Sequence, residues 1–262
     1  MNSRANSYRM SHRTPAHRSR LAPHLGTVAL VFNLCLVVLL AAAMTLGLAA
    51  PIAAQTKSGD GTSMPLRIVA YGDSLTAGYG LKPGQAFPDV LQIALRARGH
   101  GVEVINAGVS GDTTAAGLQR FEWAIPEDAD GVILELGAND ALRGQPVAEA
   151  RANLEAILKK LSARGVPVLV AGMRSPENWG PDYRAGFDAI FPTLAQQHDA
   201  IFYPFFLDGV ATDRALNLDD GLHPNAKGIA VIVDRILPYA EQLLERAAAR
   251  RAARTGGPTG KS

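Results

Sequence analysis

Cysteine is almost absent from this chain, with Cys35 its one thiol in 262 residues. Cys35 lies inside an apolar run, so the remainder of the chain can form neither a disulfide nor a thiol site. Histidine is nearly as scarce: there are six, and only His100, His198 and His223 lie beyond residue 54. These three are dispersed without metal-ligand spacing, so no metal is expected. No glycine-rich loop matches a phosphate or dinucleotide fingerprint, and no cofactor is expected. The Gly-x-Ser-x-Gly elbow of one large esterase fold is missing as well. Aromatics make up 6% of the residues, which leaves Ala, Leu and Val to fill a helix-rich core.

Charge is missing from one long stretch. No Lys, Arg, Asp or Glu occurs from Leu21 to Thr56, and the densest apolar run is Thr27 to Ala50. Before it stand Arg4, Arg9, Arg13, Arg18 and Arg20 with no acid among them. A basic start, a long apolar run and small residues at its end (Ala49-Ala50, Ala53-Ala54) describe an export signal. Pro51 and the small residues after it favour cleavage near Ala54. Left uncleaved, the run is long enough to anchor the chain in a bilayer, and either form places the domain outside the cytoplasm, periplasmic or secreted. Cys35 follows Phe32-Asn33-Leu34, which lacks the small residue of a lipid-attachment site. With those five arginines set aside, 21 basic residues face 24 acidic ones. That mild acidity leaves no electrostatic footprint for nucleic acid.

The expected organisation is a signal or anchor over 1–54, a small polar linker over 55–64, one domain over 65–246 and a frayed tail over 247–262. Within the domain, strand-like and helix-like patterns alternate. The expected strands are 66–71, 102–106, 132–136, 166–171 and 201–203. Helices are expected over 87–98, 113–123 (capped by Asp112), 147–164 and 183–198, with a last one after Asn225 that breaks or kinks near Pro238. Continuous apolar strands between helices predict an α/β domain whose parallel sheet is covered on both faces. In such sheets the functional groups gather beyond the carboxyl ends of the strands.

The distinctive segments sit there. After the first strand comes Gly72-Asp73-Ser74-Leu75-Thr76-Ala77-Gly78, and after the second Asn106-Ala107-Gly108-Val109-Ser110-Gly111-Asp112-Thr113-Thr114. After the third comes Gly137-Ala138-Asn139-Asp140, and before the last helix Asp219-Asp220-Gly221-Leu222-His223-Pro224-Asn225. Each alone is a bland turn. Four in order, from about Leu66 to about Leu237, resemble the four blocks of the SGNH/GDSL hydrolase superfamily. The wording is most similar to its periplasmic thioesterase, lysophospholipase and arylesterase branch. The resemblance implies a three-layer α/β/α fold with five parallel strands ordered 2-1-3-4-5. It implies Ser74 as nucleophile and Asp220 with His223 as the rest of a triad. Ser74 and Gly111 backbone N–H groups and the Asn139 amide would form the oxyanion hole. Ala138 stands where many relatives have Gly, a departure that leaves the amide untouched.

The residues support the same roles on chemical grounds. A serine hydroxyl needs a base to remove its proton, and the base needs a group to orient it. His100 follows Gly99 in a turn and His198 ends a helix, which favours solvated caps. His223 precedes Pro224 and is therefore biased to an extended loop. Asp220, across Gly221, can accept its Nδ1–H and leave Nε2 for Ser74. Asn139 supplies an uncharged donor, and Gly111 an approachable N–H, where negative charge would develop. Asp73 and Asp140 read as local turn or capping acceptors. Met173, Arg174, Pro176 and Trp179 follow the fourth strand at the active end and are candidate substrate contacts; Trp123, Phe205 and Phe206 could line an acyl site.

The expected chemistry is two-step hydrolysis of aryl esters, acyl thioesters or lysophospholipids, small-molecule substrates without nucleic acid. Any membrane contact would run through an uncleaved N-terminal segment. Rival readings are an O-acetyl esterase of polysaccharide or peptidoglycan, and a non-catalytic envelope-binding module. The presence of every triad and oxyanion position argues against the module.

Overall fold

Strands and helices alternate along the chain as the apolar pattern requires, and the strands assemble side by side into one parallel sheet. In this computed structural model, residues 64–255 are described. The expected signal segment, most of the linker and residues 256–262 lie outside the described residues. The strands are β1 (Leu66–Gly72), β2 (Val102–Gly108), β3 (Gly131–Glu135), β4 (Val168–Ala171) and β5 (Ile201–Tyr203). Their order is β2-β1-β3-β4-β5, parallel throughout, so the 2-1-3-4-5 expectation holds. Every residue of β3 and β4 is buried, whereas the edge strand β2 alternates at its start. Strands buried on both faces need cover on both, and near-continuous apolar runs supply it.

The helices are α1 (Ser74–Ala77), α2 (Phe87–Ala97), α3 (Thr114–Ala124), α4 (Ala138–Leu142), α5 (Val147–Ala163), α6 (Pro181–Asp188), α7 (Ile190–Gln197) and α8 (Ala226–Thr255). Among them, α2 packs against α8, and α3 against α5. The core contacts include the Phe87 ring edge-on to Phe206 and the fully buried Phe121 beneath Lys160 and Arg164. Burying a side chain of that size contributes about 1.5–3 kcal/mol. No described helix is long and apolar enough to cross a membrane.

Three expectations differ in detail. The helix expected over 183–198 is two helices that meet at Ala189. Pro192 has no N–H to continue the first, but it fits the first turn of the second, where that N–H would have no partner anyway. The cap of α3 is Thr113, whose side chain accepts from Ala116 N–H. Asp112, expected there, is drawn away by the Arg120 guanidinium at 2.5 Å. The last helix neither breaks at Pro238 nor frays at 247. It runs through Pro238 to Thr255, because Ile236, Leu237 and Ala240 on either side of the proline are buried, which offsets the one lost hydrogen bond.

Residues 247–255 of the expected tail form a latch instead. Ala247 is buried, and Arg250 donates to the Ala129 and Arg164 carbonyls at 3.0 and 2.9 Å. Arg251 donates from Nε to Asp130 at 3.0 Å and caps the Met64 and Pro65 carbonyls at the entry to β1. Asp130 is nearly buried, so losing its cation strands an acceptor. Arg251→Ala is expected to lower unfolding free energy by about 1–3 kcal/mol in urea titration, with KM unchanged; an unaltered midpoint would show that the latch carries no stability.

Candidate active site

The carboxyl end of β1 turns at once into the short helix that begins with Ser74. Asp73 makes that turn, its Oδ1 accepting from Leu75 N–H at 3.0 Å. A tight approach sets the preceding residue: a Cβ on Gly72 would lie 2.1 Å from Thr76 Oγ1 and 2.5 Å from Glu135 Oε2. Only glycine fits there.

The four sequence blocks converge on this point. His223 Nε2 lies 2.9 Å from Ser74 Oγ, and its Nδ1 lies 2.6 Å from Asp220 Oδ2. Asp220 Oδ1 accepts the backbone N–H groups of His223 and Leu222 at 3.0 and 2.9 Å. Those amides, that of His223 first, hold the Asp220 carboxyl down to about 2. A permanently ionised carboxylate fixes the Nδ1–H tautomer and leaves Nε2 free to accept a proton from serine. The loop is tied down by Asn225, whose side-chain amide reaches the Ala215 and Asn217 carbonyls while its Oδ1 receives the N–H groups of Lys227 and Gly228 that open α8.

On the opposite side, Asn139 at the start of α4 donates from Nδ2 to Asp73 Oδ2 at 3.2 Å and to the Asp112 carbonyl at 3.0 Å. This amide therefore joins the first, second and third blocks. Among the described residues, the backbone N–H groups of Ser74 and Gly111 donate to no protein acceptor. The Gly111 carbonyl accepts from Arg143 at 3.0 Å. An oxyanion would draw on the two free N–H groups directly and on Asn139 by exchanging one of its present acceptors.

The acids beside these residues are more than local turn formers. Asp73 is buried and, besides capping α1, receives Asn139 from 66 residues away. Burial raises its carboxyl to about 6. Asp140 accepts Thr114 N–H and Oγ1 at 2.8 and 2.6 Å, which fixes the second block to the third. Sequence reasoning missed Glu135 altogether, because it reads as the last residue of an apolar strand. Its side chain is fully buried, with Oε2 accepting from Thr76 Oγ1 at 2.7 Å and from Asp73 N–H at 3.3 Å. Its Oε1 has no partner among the described residues. Burial, reinforced by the Asp73 charge, raises Glu135 well above the carboxylate range. Tyr79, also missed, places its ring on His223 with centroids 4.5 Å apart.

A cleft of about 430 Å³ opens from Ser74, Asn139 and His223, with apolar walls from Leu75, Leu142, Met173, Phe205, Leu207 and Leu222. Arg174 and Pro176 line it too, so Met173, Arg174 and Pro176 of the expected substrate contacts lie in this wall. Trp179 does not. Its indole donates to the Ala141 carbonyl at 2.8 Å and covers Gly144, so it braces α4 from behind. Phe206 is core, and Trp123 is exposed on α3. His100 pairs with Glu241 and His198 caps α7, both outside the site. No cluster of metal-binding side chains occurs among the described residues.

Residues 70–231 match the GDSL-like Lipase/Acylhydrolase family. Esterase TesA of Pseudomonas aeruginosa is 35% identical over 178 residues, spanning 68% of this chain and 89% of that protein. Thioesterase 1/protease 1/lysophospholipase L1 of Escherichia coli K12 is 34% identical over 178 residues, 68% of this chain and 84% of that one. Among solved structures, AlinE4, an SGNH-hydrolase family esterase, has a TM-score of 0.59 and 46% identity, covering 70% of this chain and 98% of that one. The chain belongs to the GDSL-like lipase/acylhydrolase family. It is an ester hydrolase.

The buried acids give a pH-dependent test. Asp73 and Glu135 have folded values above their unfolded ones, 3.8 and 4.5. The folded protein then holds more protons, so their contribution to stability falls as pH rises from about 4 towards neutrality. Glu135→Gln keeps the volume and the acceptor for Thr76 without an ionisable group. Its melting temperature relative to wild type is expected to climb between pH 4 and pH 7. A difference that stays flat across that range would show that Glu135 carries no such penalty.

Proposed function

We propose that the chain hydrolyses carboxylic esters and thioesters with an apolar acyl chain through an acyl-enzyme on Ser74. The observation that carries this is the Ser74–His223–Asp220 relay, at 2.9 and 2.6 Å, opening onto an apolar cleft. Ser74 Oγ attacks the carbonyl carbon while its proton passes to His223 Nε2. The carbonyl oxygen takes up negative charge beside the Ser74 and Gly111 N–H groups and the Asn139 amide. The tetrahedral centre then collapses, the C–O or C–S bond breaks, and His223 protonates the leaving group. Water enters by the reverse sequence and releases the acid. Leu142, Leu207 and Leu222 favour an aliphatic or aryl acyl group over the acetyl group of a hydrated polysaccharide, which would leave those walls unfilled. Acyl thioesters and lysophospholipids, the classes in the name of the Escherichia coli relative, fit that description, and so do aryl esters. An exported, periplasmic location belongs to the same reading, supported by the arginine-rich start and the uncharged run from Leu21 to Thr56.

A fluorophosphonate probe is expected to label Ser74 alone, and Ser74→Ala to abolish turnover of p-nitrophenyl esters. An adduct elsewhere, or retained activity, refutes the assignment. Asn139→Ala should lower kcat by about 10²–10³ with KM little changed. Because the amide is also the partner of buried Asp73, this variant should melt earlier than wild type while remaining folded. A rise in KM alone would make Asn139 a binding group. Sequencing protein recovered from the native host should find a start near Gln55; an intact start on membrane-bound protein would select the anchored form, and purely cytoplasmic activity would refute export.

A further inference from the structure

Tyr79 is 53% exposed and stands immediately after α1. Its ring faces the His223 imidazole, centroids 4.5 Å apart and planes tilted by 37°. We propose that Tyr79 is a positioning residue for acyl transfer, its ring face holding the His223 imidazole towards Ser74 and stabilising the cation formed when serine gives up its proton. This rests on the reading of Ser74 and His223 as nucleophile and base.

Several observations carry it. First, the ring is fixed to the nucleophile by backbone. The Ser74 carbonyl accepts both Gly78 N–H and Tyr79 N–H at 3.1 Å, and Gly78 takes φ 84°, the left-handed turn that ends α1 and suits glycine. Any movement of Ser74 therefore carries Tyr79 with it. Second, the loop that bears the base comes from more than a hundred residues away and is the less supported partner. Asp219, Asp220, Gly221 and Leu222 are all exposed, and nothing lies within 4 Å of the position a Gly221 side chain would occupy. Beyond the Ser74–His223 hydrogen bond, the Tyr79 ring and the close approach of Gly80 to Leu218 join this turn to the loop among the described residues. Third, the ring is the working part, because the Tyr79 hydroxyl makes no hydrogen bond among the described residues. Fourth, the apolar cleft includes His223 in its wall but not Tyr79, so an acyl chain in the cleft leaves the ring in place.

The charge on the imidazole favours the same role. Serine attack converts a neutral imidazole into a cation that is partly screened by water, since the His223 side chain is 20% exposed. Asp220 neutralises it along one edge. An aromatic face presents negative electrostatic potential to a cation from above, and among the described residues no carboxylate other than Asp220 lies at hydrogen-bond distance from the imidazole.

Full-length wild type, Tyr79→Phe and Tyr79→Leu decide the matter. With ¹³C-labelled histidine, the His223 ring protons should carry a ring-current shift that Tyr79→Phe retains and Tyr79→Leu loses. Tyr79→Leu should lower kcat by about 2- to 5-fold, the range set by a ring face on a partly exposed cation. KM should stay the same, and the loss should be equal for p-nitrophenyl and ethyl esters of one acid. Tyr79→Phe should restore wild-type kcat. A loss confined to the aryl ester would make Tyr79 a leaving-group contact. Failure of phenylalanine to restore activity would assign the role to the hydroxyl, and unchanged kcat in Tyr79→Leu would remove the role altogether; each overturns the proposal. The ring-current measurement does not depend on catalysis, so retained activity in Ser74→Ala would sink the nucleophile assignment while leaving the Tyr79–His223 contact separately measured.

Discussion

The carboxylate of Asp73 is the joint on which the site turns. It leaves β1 pointing into the protein, caps the helix that starts with Ser74, and accepts the amide of Asn139 at the start of α4. Asn139 in turn reaches the Asp112 carbonyl after β2. One buried acid thus holds together the segments that follow three adjacent strands. The parallel sheet brings those segments to one edge, but only to within loop distance. The hydrogen bonds through Asp73 and Asn139, with Asp140 on Thr114, fix them at atomic spacing. An isolated serine turn would be free to reorient, and a nucleophile misplaced by about 1 Å can lose roughly a hundredfold in rate.

This joint carries an electrostatic penalty that the fold tolerates. Asp73 and Glu135 lie close together in the same buried turn, and two neighbouring carboxylates out of water cannot both ionise cheaply. Glu135 is the more deeply enclosed and has an oxygen without a partner, so it is the one that keeps its proton. Asp73 retains amide donors on both oxygens and is the one better able to carry charge. Arg120 stabilises the same corner from outside, pairing with Asp112, donating to the Gly72 carbonyl at 2.9 Å and stacking on Tyr71. The base lies in the opposite environment. Asp220 sits at the surface, where backbone amides rather than burial set its ionisation.

The parts of this arrangement that sequence displayed are those with local signatures. Five strands with apolar runs, the order of four blocks and the Asp220-Gly221-Leu222-His223 spacing were all legible, because each is a short-range pattern. Contacts across the sheet were not. Glu135 reads as strand, and its role depends on Gly72 lying opposite it in the β1–β3 register. Asp112 looked like a helix cap until a buried arginine eight residues away claimed it. Trp179 follows the right strand, yet its indole turns back to Ala141, which no spacing encodes. The C-terminal Ala/Arg repeat has the composition of a frayed end, but its arginines meet Asp130 and four backbone carbonyls. Tyr79 carried a faint signal: an aromatic between two glycines, five residues past the nucleophile, is an unusual place for an apolar ring.

The resulting division of labour explains why the machinery is distributed as it is. Oxyanion donors must be in place before charge develops, since a group that reorients during the reaction offers less stabilisation. The proposed donors lie at strand ends and helix starts and are braced by buried acids. The proposed base, His223, has a different requirement. It must take a proton from serine and then give one to the leaving group, so its ring needs firm orientation together with access to water for the second step. A surface loop closed by its own aspartate meets both needs, provided something limits its lateral movement. Asn225 anchors the loop where it enters α8, and the Tyr79 ring bears on the imidazole itself. Rigidity is thus concentrated where charge develops, and the freedom left to the base is that of a ring held at its edge and its face.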